Sequence, residues 1–238
     1  KMAYAKRFDG RKFDELREIE AKVGVIKSAD GSAMFRMGKT IAIAAVRGPR
    51  NLHPRFMQNP ETGILRCNYD LMSFSVTERK RPGPSRRSQE VSLVTEKALL
   101  PALNLNEFPN SVVDVFIQII QADAGTRCAG INAASLALAD AGIIMSDLVC
   151  AVALGILHED KVVVDINKEE EDYKDGMADT PIAIMPHSGK ITLLQMDGEA
   201  SKEEIKQALE KAKEVCKEIR DIQVKALKEK YGGLKNEV

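Results

Sequence analysis

Short runs of alternating apolar residues fill the first part of the chain. AKVGVIKSADGSAMFRMGKTIAIAAVRGP (21–49) predicts three short strands with turns at Asp30-Gly31 and Met37-Gly38. TGILRCNYDLMSFSV (62–76) predicts one long strand or a strand pair, broken off by the prolines and glycine of ERKRPGP (78–84). From Ser85 to about Leu100 the period lengthens, and Val91, Val94, Ala98 and Leu99 share one helical face. Over 111–122, Val113, Val115, Ile117 and Ile119 alternate with Asp114, Phe116, Gln118 and Ile120, which predicts a strand. The alanine-rich stretch 128–142 follows as a helix with Gly142 as its left-handed stop. Residues 148–167 predict a hairpin turning at Glu159-Asp160, and 190–198 a last strand. The segment 201–231 predicts a long amphipathic helix ended by Gly232-Gly233. A capping box of Ser201 and Glu204 opens it, and its stripe is Ile205, Leu209, Ala212, Val215, Cys216, Ile219 and Ile222. Such blocks of strands alternating with helices predict an α+β fold, mixed sheets packed with helices, in one domain spanning 1–238.

Charge changes this picture because its zero total hides two opposed segments. Residues 47–87 carry nine Lys/Arg against three Asp/Glu, a net +6. Residues 158–179 carry three against nine, a net −6. The neutral sum argues against a general nucleic-acid sponge, and the segregation supplies a basic and an acidic tool. The scattered cysteines, Cys67, Cys128, Cys150 and Cys216, lack metal-ligand spacing, so isolated thiols in a cytoplasmic protein are expected.

Two helix starts carry the wrong charge. A helix N-terminus is already electropositive, so a cation there costs about 0.3–1 kcal/mol. Yet Arg86 and Arg87 follow Ser85, and Arg127 follows Thr126, read as the N-cap. One such arginine is ordinarily just solvated. Two such starts suit an anion, since free amides, a hydroxyl and guanidinium forks make a phosphate site. The acidic stretch 165–179 suits a hard cation such as Mg²⁺ and offers a general acid. It is not an EF-hand, because Glu170 stands where the loop needs glycine. Gly38-Lys39-Thr40 imitates a P-loop end, but Ala33 replaces the required glycine and a strand follows.

Five stretches occur in one order: FDGRKFDELREIE (8–20), GSAMFRMGKTIAIAAVRGP (31–49), RRSQE (86–90), DAGTR (123–127) and EEDYKDGMADTPIAIMP (170–186). Together they resemble the RNase PH-like phosphorolytic exoribonucleases over nearly the whole chain. ALADAG (137–142) and ITLLQMDG (191–198) are similar to the catalytic branch found in the archaeal exosome. The resemblance implies an RNase PH-like domain that shortens single-stranded RNA from its 3′ end, with inorganic phosphate as co-substrate and nucleoside diphosphates as products. It implies phosphate binding by Thr126, Arg127 and Arg87, and RNA binding by Arg86 and Arg87 beside the scissile link. Arg55, in HPRF (53–56), would thread the RNA at the neck of a channel. Asp172 and Asp179 would be the catalytic acids, the first as proton donor and the second near a Mg²⁺ ion. They stand seven apart where the family shows six, which keeps Asp175 as a candidate beside Asp172. Pro181 replaces a lysine of the bacterial members. The resemblance further implies a hexameric ring in the cytoplasm, in which such chains alternate with a related inactive subunit. RNA-binding cap subunits would join it, and no membrane. A non-catalytic RNA-binding scaffold subunit of the same ring is the alternative. The joint presence of both acids, Thr126 and the two phosphate-type arginines speaks for catalysis.

Overall fold

A computed structural model describes residues 6–78, 80–157, 161–172 and 177–232. In chain order the elements are β1 (Ile19–Val23), β2 (Gly31–Met37), β3 (Thr40–Asn51), β4 (Ile64–Leu71) and α1 (Arg86–Leu99). Then come β5 (Ser111–Gln121), α2 (Thr126–Asp140), β6 (Cys150–Leu157), β7 (Lys161–Val164) and the one-turn α3 (Lys168–Glu171). The chain continues with β8 (Met177–Met185), β9 (Lys190–Leu194) and α4 (Lys202–Tyr231). The α+β expectation holds. A mixed sheet has the order β1-β2-β3-β5-β4, and an antiparallel one the order β7-β6-β8-β9.

One pairing sets up everything that follows. β4 and β5 run parallel, Ile64 opposite Val112 through to Leu71 opposite Ile119, with α1 as the crossover between them. The stretch 62–76 is therefore a single strand, shorter than expected, and not a hairpin.

α2 lies between the sheets with every residue from Cys128 to Leu138 buried. That is why its sequence is apolar all round and rich in alanine. The packing is close enough that a Cβ on Gly31 would come within 2.3 Å of the Ala137 carbonyl oxygen. α2 ends as expected, with Gly142 left-handed at φ 73°.

Two other expectations change. The buried seam of α4 is Ala208, Ala212, Val215, Cys216, Ile219, Gln223 and Ala226, rotated from the expected stripe so that Ile205, Leu209 and Ile222 stay half-buried. Gln223 is tolerated inside because it hydrogen-bonds Asn132 and the Val149 carbonyl, both 3.3 Å away. β8 was not expected at all, since acids precede it and Pro181 interrupts it. The hairpin of β6 and β7 forms, but its expected turn at Glu159-Asp160 lies outside the described residues, as does Gly233.

Candidate active site

Because β4 and β5 are adjacent and parallel, the chain leaves both at the same edge of the sheet. α1 starts after β4 and α2 starts after β5, so their N-termini open side by side. Ligands of α/β units collect at this carboxyl edge. At α1, Ser85 caps the Ser88 amide at 3.1 Å and Ser88 Oγ accepts from the Ser85 amide at 2.7 Å. Arg86 and Arg87 follow, exposed, and the first turn holds no acid. At α2 the cap differs from expectation. Gly125, at φ 61°, takes the N-cap position, and Thr126 is the first helical residue. No side chain caps this helix start, and its first turn also holds no acid. Ala124, at φ 53°, and Gly125 form a left-handed pair, and the Thr40 hydroxyl lies 2.8 Å from the Ala124 carbonyl. The result is a start with free amides, a hydroxyl and a guanidinium, all on the first two helical residues.

Side chains tie the two mouths together. Arg127 Nη1 donates to Gln195 Oε1 at 2.6 Å, and Gln195 Nε2 reaches Glu90 of α1 at 3.5 Å. Tyr69, near the end of β4, is buried. Burial pushes its hydroxyl up to about 12, with neighbouring Thr126 and the charges of Arg87 and Arg127 opposing the rise. Both arginines therefore lie near this one residue.

The second sheet brings an acid to the same place. Asp179 lies on β8, its backbone paired both ways with Asp197 at 3.0 and 2.9 Å. Its Oδ1 is buried and finds no hydrogen-bond partner among the described residues. Burial pushes this carboxyl up to about 6, with Glu171 and Asp197 adding to the rise and Arg127 and Arg87 opposing it. Arg87, Thr126, Arg127 and Asp179 are thus gathered.

Asp172 sits differently. It ends α3, is exposed, and accepts from Lys168 Nζ at 2.7 Å. Asp175 lies outside the described residues. Arg55 stands apart from the cluster, on a short 3₁₀ turn after β3. β3 ends opposite the beginning of β5, Asn51 against Ser111, whereas Thr126 follows the end of β5. An eleven-residue strand separates the two, roughly 33 Å at the usual rise. Arg55 therefore lies beyond the opposite end of β5 from Arg127.

Tyr69, Gln195, Glu171 and Asp197 escaped sequence reasoning. Tyr69 looks like any β-strand aromatic, and Gln195 like a polar residue on a solvated strand. Only the parallel pairing and the fold of the second sheet reveal their use.

The acids suit one hard cation better than an all-protein cage. The described residues hold no cluster of three or more His, Cys, Asp or Glu able to grip an ion. Mg²⁺ typically takes one or two carboxylates and fills its other positions with water and phosphate oxygens. The orphaned Oδ1 of Asp179 fits that habit.

Residues 15–144 match the 3′ exoribonuclease family, domain 1, and residues 147–215 match the 3′ exoribonuclease family, domain 2. The chain is 54% identical over 227 residues to the exosome complex component Rrp41 of Methanopyrus kandleri, spanning 95% of this chain and 94% of that one. It is 55% identical over 233 residues to the Rrp41 of Pyrococcus furiosus, spanning 98% and 92%. Among solved structures, rice Rrp46 shares the fold with a TM-score of 0.80 at 25% identity, over 91% of this chain and 98% of that one. The Archaeoglobus fulgidus exosome with RNA bound to the active site shares it with a TM-score of 0.78 at 23% identity, over 91% and 92%. No described helix is long and apolar enough to cross a membrane.

Proposed function

The chain belongs to the 3′ exoribonuclease family, and from that premise we propose that it is the phosphorolytic catalytic subunit of an exosome ring. It shortens single-stranded RNA from the 3′ end and releases nucleoside diphosphates. The observation that carries this reading is the pair of arginine-bearing helix mouths opening at one sheet edge, beside Asp179, whose buried Oδ1 has no partner among the described residues.

The chemistry needs such a site. An oxygen of inorganic phosphate attacks the phosphorus of the last phosphodiester, and the bond from that phosphorus to the 3′ oxygen breaks. Two anions must meet, so their repulsion has to be cancelled before reaction. Thr126, Arg127 and the free amides of α2 hold the attacking phosphate, while Arg87 bridges to the terminal RNA phosphate and Arg86 grips the backbone beside it. These groups are preorganised, which is where most of the acceleration in phosphoryl transfer comes from. The departing 3′ oxygen needs a proton. Asp172, exposed at the end of α3, is the donor once its carboxylate gives up the bond from Lys168 and takes a proton, with Asp175 as the alternative. Asp179 would hold a magnesium ion, which when bound neutralises charge on the phosphate oxygens. Run in reverse, the same site extends RNA from nucleoside diphosphates.

The ring is a hetero-hexamer in the cytoplasm, in which this chain alternates with a related inactive subunit beneath RNA-binding caps. Arg55, far along the sheet from the reacting atoms, grips the incoming strand without regard to sequence. A scaffold subunit would have no use for a carboxylate held near two arginines with one buried oxygen that has no partner among the described residues.

The test is the product. Single-stranded RNA incubated with this chain and its ring partner releases nucleoside diphosphates when inorganic phosphate is present and nothing when it is absent. Monophosphate products, or activity indifferent to phosphate, exclude the reading.

A further inference from the structure

Two buried arginines, Arg7 and Arg17, join the halves of the site. Residues 6–18 form no helix or strand, yet Arg7 and Arg17 are only 2% and 7% exposed. Arg7 forks onto the Glu170 carboxylate with Nε and Nη2, each at 2.8 Å. Its remaining donors reach the Val164 carbonyl at 2.8 Å and the Asp165 carbonyl at 3.0 Å. Glu170 also accepts from the Asn167 amide at 3.0 Å, so this ion pair locks the capping box of α3, the turn that carries Glu171 and Asp172.

Arg17 does the same for the other half. It grips the Asp165 carboxylate through Nε at 2.9 Å and Nη2 at 2.7 Å. Its Nη1 then reaches the Asp123 carbonyl at 2.6 Å, at the start of the DAGTR loop. Asp123 in turn accepts from the Lys168 amide, the first of α3, at 3.2 Å. Asp165 holds this arrangement at φ 53°, a left-handed conformation that is uncommon outside glycine.

Buried ion pairs are a weak device for stability, because apolar side chains of similar volume do as well or better. Forked arginines do something apolar anchors cannot, which is to fix direction at both ends. We propose that Arg7 and Arg17 are positioning residues for phosphorolysis, Arg7 setting the acid-bearing turn and Arg17 setting the phosphate loop. The proposal rests on the functional reading above and adds a division of labour to it.

Lysine at either position keeps the charge and loses the fork. Arg7→Lys lowers kcat about 30- to 100-fold, as misplacement of a reacting group does. It leaves KM for phosphate within about twofold of the unsubstituted value, since the phosphate loop keeps its own anchor. Arg17→Lys instead raises KM for phosphate roughly tenfold, as loss of an outer partner of an ion site commonly does. Glu170→Gln reproduces Arg7→Lys and replaces it should that variant not fold. Combined with Asp172→Asn, Arg7→Lys adds no further loss of kcat. Lowered melting temperature with unchanged kinetic constants overturns the proposal, and so do losses that fail to split between kcat and KM. An unsubstituted protein that gives no phosphate-dependent product overturns the functional reading itself. An active one whose variants do not split overturns only the positioning roles.

Discussion

Arg127→Ala lowers phosphorolytic turnover by about a thousandfold or more while leaving the fold intact. Arginines that neutralise a transferring phosphoryl group contribute about 10³–10⁵ in rate. Arg127 is the second residue of α2, beside amides that no side chain caps. Among the described residues its side chain makes one hydrogen bond, at 2.6 Å to Gln195, and no ion pair within 4 Å, so it is held in place with charge to spare. Removing it takes a fork from the attacking phosphate and cannot be offset by the amides alone. Arg127→Lys keeps the charge and loses the bidentate geometry, and is expected between the two extremes. Stability barely moves, because losing a cation at a helix start is worth about 0.3–1 kcal/mol and offsets the lost hydrogen bond. Steady-state kinetics in phosphate and a thermal melt measure both. An alanine variant within tenfold of full activity would remove Arg127 from the phosphate site.

Asp179→Asn separates activity from stability. Activity falls by at least about a hundredfold, because this carboxylate, whose Oδ1 has no partner among the described residues, is the charge proposed to hold magnesium beside the arginines. Stability changes the other way, and only at neutral pH. Burial raises this carboxyl from its ordinary 3.8 to about 6 in the folded chain. The folded state thus holds the proton more tightly than the unfolded one. The group's contribution to stability is complete below pH 3.8 and is lost as pH rises through about 6. Above that, the folded chain carries a buried charge that asparagine does not have. The rise caps the gain at roughly 3 kcal/mol, at about 1.4 kcal/mol for each pH unit. In chelator, the variant melts higher than the unsubstituted protein at pH 8 and level with it near pH 4. Equal melting at both values, or a less stable variant at pH 8, would mean that Asp179 is not held at such a cost. Sites of this kind commonly trade stability for activity.

The arginines were legible before any coordinates because they violate a rule of charge at helix starts. Arg86, Arg87 and Arg127 could be picked out from their neighbours alone. Why they meet was not legible. Apolar alternation in 62–76 and 111–122 reads the same whether strands pair parallel or antiparallel, and only the parallel pairing places both helix mouths at one edge. The cap of α2 was misread for a related reason. Thr126 is the better capping residue, but two consecutive left-handed residues, Ala124 and Gly125, bring the chain into the helix one residue earlier. That leaves the Thr126 hydroxyl free of a capping role. β8 was hidden because proline and acids are poor strand signals, though it carries Asp179. The amphipathic pattern of α4 was readable, but its exact seam was shifted by the buried Gln223, which no hydrophobic stripe would include.

The acid-bearing turn depends on contacts remote in sequence. Arg7 and Glu170 are 163 positions apart, and neither looks functional on its own. An arginine in a segment without regular structure and a glutamate in an acidic run both read as solvated until the fold buries them. Such long-range pairs are where sequence reasoning ends and coordinates begin.

Both helix mouths are expected to serve one anion. A crystal of this chain soaked in tungstate, a heavy stand-in for phosphate, reports this through the anomalous signal of tungsten. A single peak is expected within hydrogen-bonding reach of Arg87, Arg127 and the Thr126 amide. Two separate peaks, one at each helix start, or a peak that only one of the arginines contacts, would contradict it.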